Sequence, residues 1–96
     1  MDNKFPPITP GDILLEEFLQ PMGITESRLA NDIQVPANRI SQVVRGQRDI
    51  TADTAMRLGI YFGIEPEFWM NLQVHYNMKM AKDSIGEKID REIKTI

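Results

Sequence analysis

The sequence contains no cysteine, which excludes a disulfide framework and any thiolate metal site. It has one histidine, His75, and no H-E-x-x-H spacing, so no metal ligation is expected. Apolar runs never exceed three residues, whereas a bilayer span needs about 20. The opening MDNKFPPITP lacks the charged-then-apolar layout of an export signal. A cytoplasmic protein without a membrane partner is the expectation. Neither a glycine-rich phosphate loop nor a nucleophile elbow occurs. Glu16 and Glu17 are adjacent and diverge by about 100° on a helix, so they form no converging acid/base pair. These absences point away from an enzyme and from any cofactor. With 96 residues the chain is long enough for one domain and too short for two.

Positive charge is also scarce, with a net charge of −3, but its distribution is uneven. Residues 1–24 set Lys4 against Asp2, Asp12, Glu16 and Glu17. Residues 49–96 carry six cations against eight carboxylates. Only residues 25–48 are positive, with Arg28, Arg39, Arg45 and Arg48 against Glu26 and Asp32. A local basic face on an acidic protein is sufficient for phosphate contacts. The acidic remainder suits a basic protein partner.

The periodicity predicts an all-α fold of five helices with a C-terminal helical extension. Residues 1–8 read as an extended tail because Pro6 and Pro7 oppose helix. Thr9 caps the first helix, Pro10 suits its first position, and Asp12 places negative charge in its first turn. Ile13, Leu14, Phe18 and Leu19 form its inward stripe, and Pro21 with Gly23 is expected to stop it. Thr25 caps the second helix, where Ile24 and Leu29 hold staple positions and Leu29, Ala30 and Ile33 face inward. Small Ala30 permits a close helix crossing. The turn is Gln34-Val35-Pro36, with Val35 as its apolar plug. A third helix then runs from Pro36 to about Arg45, with Ile40, Val43 and Val44 inward and Gly46 at its end.

Thr51 caps a fourth helix packed through Ala55, Met56, Leu58, Gly59 and Phe62. Gly59 costs about 1 kcal/mol inside a helix, so it marks close packing or a tolerated weakness. Pro66 opens a fifth helix rich in large apolar residues. The final KDSIGEKIDREIKTI aligns Ile85, Ile89, Ile93 and Ile96, and reads as an amphipathic tail that orders against something. The expected organisation is a tail at 1–8, a helix-turn-helix domain at 9–80 and a C-terminal amphipathic tail at 81–96.

On the third helix, Asn38, Ser41, Gln42 and Arg45 share the face opposite the core, with Ala37 and Arg39 on its flanks. In a major groove, Asn38 and Gln42 suit adenine, Arg39 suits guanine, and Ala37 and Ser41 complete the candidate base-reading set. Thr25, Ser27, Arg28, Arg45, Gln47 and Arg48 are candidate phosphate contacts, being short donors or cations near helix ends. The bland alternative is a solvated polar face and ordinary surface charge. A single helix-turn-helix usually dimerises to span half-sites about 34 Å apart. Phe68, Trp69, Leu72 and Tyr76 are the candidate homodimer seam. Core packing against the fourth helix is at least as good a reading for Trp69.

Glu26 to Val44 resembles the helix-turn-helix of the phage-repressor-like (Xre) superfamily, with Leu29, Ala30, Ile33, Val35, Ile40 and Val43/Val44 at its apolar or small positions. The flanks sharpen this. ITPGDILLEEFLQPMGIT, VPANRISQVVRGQRDITADTAMRLGIYFG and IEPEFWMNLQVHY together resemble the HigA antitoxins, over about residues 8–77. Members of that family often read P-G-E-x-L-x-E-E-F-L, then N-R-I-S, I-T-x-D-T-A-x-R-L and P-E-F-W-x-N-L-Q. The resemblance implies a DNA-binding antitoxin that neutralises a HigB-type toxin, an RNase cleaving ribosome-associated mRNA, and represses its own operon from operator double-stranded DNA. The alternatives are a stand-alone Xre-type repressor and an interaction module that has lost DNA binding. Three positions depart from the pattern. Gln34 stands where the turn commonly has glycine, Asp12 where glutamate is common, and Glu65 where serine would cap.

Overall fold

The computed structural model describes residues 7–96, so most of the expected 1–8 tail lies outside the described residues. Five helices follow in order, and no strand occurs among the described residues. Helix α1 covers residues 10–22 as three continuous stretches, Pro10–Ile13, a widened π-helical Leu14–Leu19, and Gln20–Met22. Helix α2 is Glu26–Asp32, α3 Ala37–Val44, α4 Ala52–Phe62 and α5 Pro66–Glu92.

A reciprocal cap starts α1. The Asp12 N–H donates to Thr9 Oγ1 at 3.0 Å, and the Thr9 N–H donates to Asp12 Oδ2 at 3.1 Å. This is a capping box, and the shorter aspartate still closes it. Pro21 does not stop the helix as the sequence suggested. It sits inside the last turn, which ends at Gly23. A proline clashes with the carbonyl four residues back, here that of Glu17. The turn is widened at that place, with the Gln20 N–H bonded to Leu15 O, five residues earlier.

Four helix ends share one left-handed closure. At each, the residue after a positive-φ position returns its N–H to a carbonyl five residues earlier: Ile24 to Leu19, Val35 to Ala30, Gln47 to Gln42 and Ile64 to Gly59, at 2.8–3.0 Å. Three of the positive-φ positions are glycine, and the fourth is Gln34 at φ 62°. The position does require the left-handed region. Gln34 compensates in part by donating its side-chain Nε2 to Asn31 O at 2.9 Å.

The core joins Leu14 and Leu19 of α1, Leu29, Ala30 and Ile33 around α2, Ile40 and Val43 of α3, Ile50, Ala55 and Leu58 around α4, and Trp69 of α5. Burying each large aliphatic contributes about 1.5–3 kcal/mol. Phe18, Phe62 and Phe68 pack around Trp69, with ring centroids 4.8 Å (Phe18) to 5.9 Å (Phe62) from its own. Trp69 is 0% exposed, so it has no surface to offer a second chain. Its place in the expected seam is corrected to the core, and its indole N–H is buried without a hydrogen-bond partner among the described residues.

Gly59 marks a close approach. A Cβ there would lie 2.7 Å from Ile64 O and 3.2 Å from Pro66 Cγ, where the chain turns from α4 into α5. Met56, expected to pack, is exposed. Glu65 makes no side-chain cap on α5. Residues 81–92 continue α5 without a break, and the helix ends at Glu92. From Lys82 onward nearly every side chain is exposed. The i,i+4 pairs Lys79–Asp83, Glu87–Arg91 and Lys88–Glu92 lace this stretch, each worth roughly 0.3–0.5 kcal/mol.

Candidate nucleic-acid interface

Helix α3 owes its placement to both neighbours in sequence and to α1 in space. Its N-cap is extended Pro36, so the helix begins at Ala37, one residue later than the sequence placed it. Its C-terminus lies against the start of α1. A Cβ on Gly11 would fall 2.0 Å from Val43 O and 2.8 Å from the Val44 Cα. The PGD segment is therefore a backbone-to-backbone seat for the exposed helix. No reading of the sequence assigned Gly11 a role, because nothing local to residues 9–12 signals the approach of residue 43.

The outward face of α3 carries the expected polar set. Ala37 and Asn38 are exposed, whereas Ser41 and Gln42 are half-buried. Ser41 donates its hydroxyl to Asn38 O at 3.2 Å. Gln42 accepts from Arg48 Nε through its Oε1 at 2.8 Å. Arg39 is turned to the flank, where it forms an ion pair with Asp53 of α4 and retains 27% side-chain exposure. The same carboxylate receives Arg57 Nε at 3.0 Å, and Arg57 Nη1 continues to Ile33 O at 2.9 Å. The Arg39 hydrogen bond, then that of Arg57, holds the Asp53 carboxyl below its usual value. Arg39, Asp53 and Arg57 therefore tie α3 and α4 to the end of α2. Sequence reading missed Asp53 and Arg57 because they lie in α4, outside the motif.

The candidate phosphate contacts separate into two groups. Arg28 is ion-paired with Asp32 at 3.4 Å, and Tyr61 donates its hydroxyl to the same Asp32 at 2.6 Å. That hydrogen bond raises the Tyr61 phenol above its ordinary value. Arg45 and Arg48 have no carboxylate partner among the described residues, and both are exposed. Thr25 accepts the Arg28 N–H at 3.0 Å as a helix cap, and Ser27 and Gln47 are exposed. The positive window of the sequence thus resolves into Arg45 and Arg48 beside the exposed end of α3.

The loop after α3 is anchored from α5. Gln73, 5% exposed, accepts the Ile50 N–H at 2.7 Å and donates to Asn77 Oδ1 at 3.0 Å. Asn77 in turn donates to Asp49 Oδ2 at 3.3 Å. A buried glutamine with a backbone partner is a positioning device, invisible in the sequence because its partner is 23 residues away. Of the expected dimer set, Phe68 and Leu72 pack partly into the core and Tyr76 is half-exposed. Val74, Met78 and Ile85 form an exposed apolar stripe on the opposite side of α5.

Among the described residues, no helix is long and apolar enough to cross a membrane. The helix-turn-helix family matches residues 15–69. A Dichelobacter nodosus virulence-associated protein I is 50% identical over 80 residues, which are 83% of this chain and 74% of that protein. An Escherichia coli uncharacterized HTH-type transcriptional regulator is 40% identical over 67 residues, covering 70% of this chain and 59% of that protein. Among solved structures, the Pseudomonas aeruginosa antitoxin HigA with higBA promoter superposes with a TM-score of 0.91 at 43% identity, covering 95% of this chain and 99% of that chain. This is a family of DNA-binding regulators and antitoxins, not an enzyme class. The chain belongs to the helix-turn-helix family and, within it, to the HigA-like antitoxins.

Proposed function

We propose that the chain binds operator DNA through α3 as a homodimer, represses its own operon, and neutralises a HigB-type mRNA-cleaving toxin. The observation that carries the DNA reading is the pairing of exposed Asn38 and half-buried Gln42 on the outward face of α3 with Arg45 and Arg48, two cations without a carboxylate partner among the described residues. A similar chain, 43% identical, has been solved with promoter DNA, which supports the same placement of α3. Asn38, Ser41 and Gln42 then face base edges, with Ala37 beside them, while Thr25, Ser27, Gln47, Arg28, Arg45 and Arg48 meet phosphate. Arg39 serves first as the tie to Asp53 and reaches a base only by leaving that ion pair.

The deciding experiment is to establish whether a small basic RNase-like reading frame lies beside the gene, to co-express it with this chain, and to measure binding of the purified chain to the DNA upstream. Rescue of toxin-arrested growth, copurification and salt-dependent DNA binding are expected. DNA binding without rescue or copurification leaves a stand-alone repressor, a reading favoured by the relative named as a transcriptional regulator.

A further inference from the structure

The contact between Gln42 and Arg48 has a consequence for which base is read. An isolated glutamine amide turns either edge outward, so it matches adenine well: it donates to N7 and accepts from the N6 amino group. Gln42 does not have that freedom. Its Oε1 accepts from Arg48 Nε at 2.8 Å. A guanidinium N–H only donates, so the amide oxygen must face Arg48 and the NH₂ must face away.

The geometry is held from several sides. The Gln47 N–H returns to Gln42 O at 2.8 Å and folds the loop back over α3. Ile50 is fastened to Gln73 at 2.7 Å, and Asp49, the nearest carboxylate in sequence, is engaged by Asn77 at 3.3 Å. Arg48 is thereby left to Gln42. We propose that Arg48 is a specificity-positioning residue: it holds the Gln42 amide so that DNA meets a donor-only edge, which selects guanine over adenine. Guanine offers two adjacent acceptors, N7 and O6, to such an edge, whereas adenine sets a donor against it. The nearby guanidinium charge favours the same choice.

This inference rests on the DNA-binding reading above, and the test separates the two. Wild type, Gln42→Ala and Arg48→Ala are each used to select from a random duplex library, with circular dichroism confirming that each variant is folded. Duplexes with single base-pair changes are then titrated by fluorescence anisotropy. At the position that Gln42→Ala flattens, wild type is expected to prefer guanine over adenine by about tenfold. Arg48→Ala is expected to erase or reverse that preference at the same position only. If Arg48→Ala weakens all duplexes alike and guanine stays preferred, Arg48 acts as a phosphate contact alone and the proposal falls. A wild-type preference for adenine at that position, or an Arg48→Ala change confined to another position, overturns it equally. If wild type enriches no duplex at all, the DNA-binding reading itself fails.

Discussion

At the scale of single residues, the informative positions are those where a side chain has more than one role to fill. Gln34 occupies a left-handed turn position at φ 62°, and its amide recovers only an exposed hydrogen bond to Asn31 O. Left-handed strain costs roughly 1–2 kcal/mol for a residue with a Cβ, part of which glycine's greater unfolded-state freedom would offset. Gln34→Gly is therefore expected to stabilise the fold by about 0.5–1 kcal/mol, read as a higher urea midpoint at unchanged slope. An unchanged or lower midpoint would show that the turn carries no strain. Asp53 makes a second case. Its folded pKa lies below the ordinary 3.8, through the hydrogen bond from Arg39 and then that from Arg57. The stability it contributes is present above the unfolded value and is lost as pH falls through the lower folded value. In a melting series below about pH 4, Asp53→Asn should flatten the acid-side loss relative to wild type. Parallel curves for the two proteins would remove Asp53 from the acid response.

Whole elements show how the recognition helix is held by segments outside the motif. Helix α3 has eight residues and cannot stand alone, since isolated helices shorter than about 12–15 residues are marginal. It is seated on Gly11 at one end, tied through Arg39 to Asp53, and followed by a loop fastened to Gln73. The seat is the most demanding of these, because the clash at Gly11 is with backbone rather than with a movable side-chain tip. Gly11→Ala is expected to cost about 2 kcal/mol or more and to shift the Val43–Gly46 end of α3. Denaturant melts check the first effect, and amide chemical shifts confined to residues 43–48 check the second. A neutral substitution would mean that α1 and α3 separate without cost. The periodicity already marked α1, α2 and α4 through their caps and stripes, but it could not mark this contact. Capping is a property of three or four adjacent residues, whereas the seat joins residues 11 and 43.

For the whole molecule, the dominant feature is the length of α5. Its 27 residues span about 40 Å, most of the 48 Å long axis. The first part, through Gln73, is built into the core, and the part beyond Lys82 projects with few contacts of its own. The sequence suggested an amphipathic tail from residue 81 that orders only against something else. Instead, the helix already nucleated on the core carries through it, since elongation costs far less than nucleation. Val74, Met78 and Ile85 stay exposed along the side of α5 opposite Trp69. With a homodimer proposed, the 11.0 kDa chain is expected to sediment at twice that mass at micromolar concentration, without toxin or DNA. A monomer under those conditions would remove the proposed homodimer seam on α5.

What the sequence by itself determined was the set of local features: five helices, the Thr9, Thr25 and Thr51 caps, and the polar face of α3. Each depends on residues within one or two turns of one another, and so is written in periodicity and spacing. Tertiary structure alone decided which arginines are committed and which face solvent. Arg39 is engaged by Asp53, fourteen positions on, while Arg45 meets no carboxylate among the described residues. It also decided that Trp69 is core, that Gly11 seats α3, and that Gln73 anchors the loop carrying Arg48. The physical reason is the same in each case. Charge pairing, close approach and burial depend on distance in space, and the sequence records only distance along the chain.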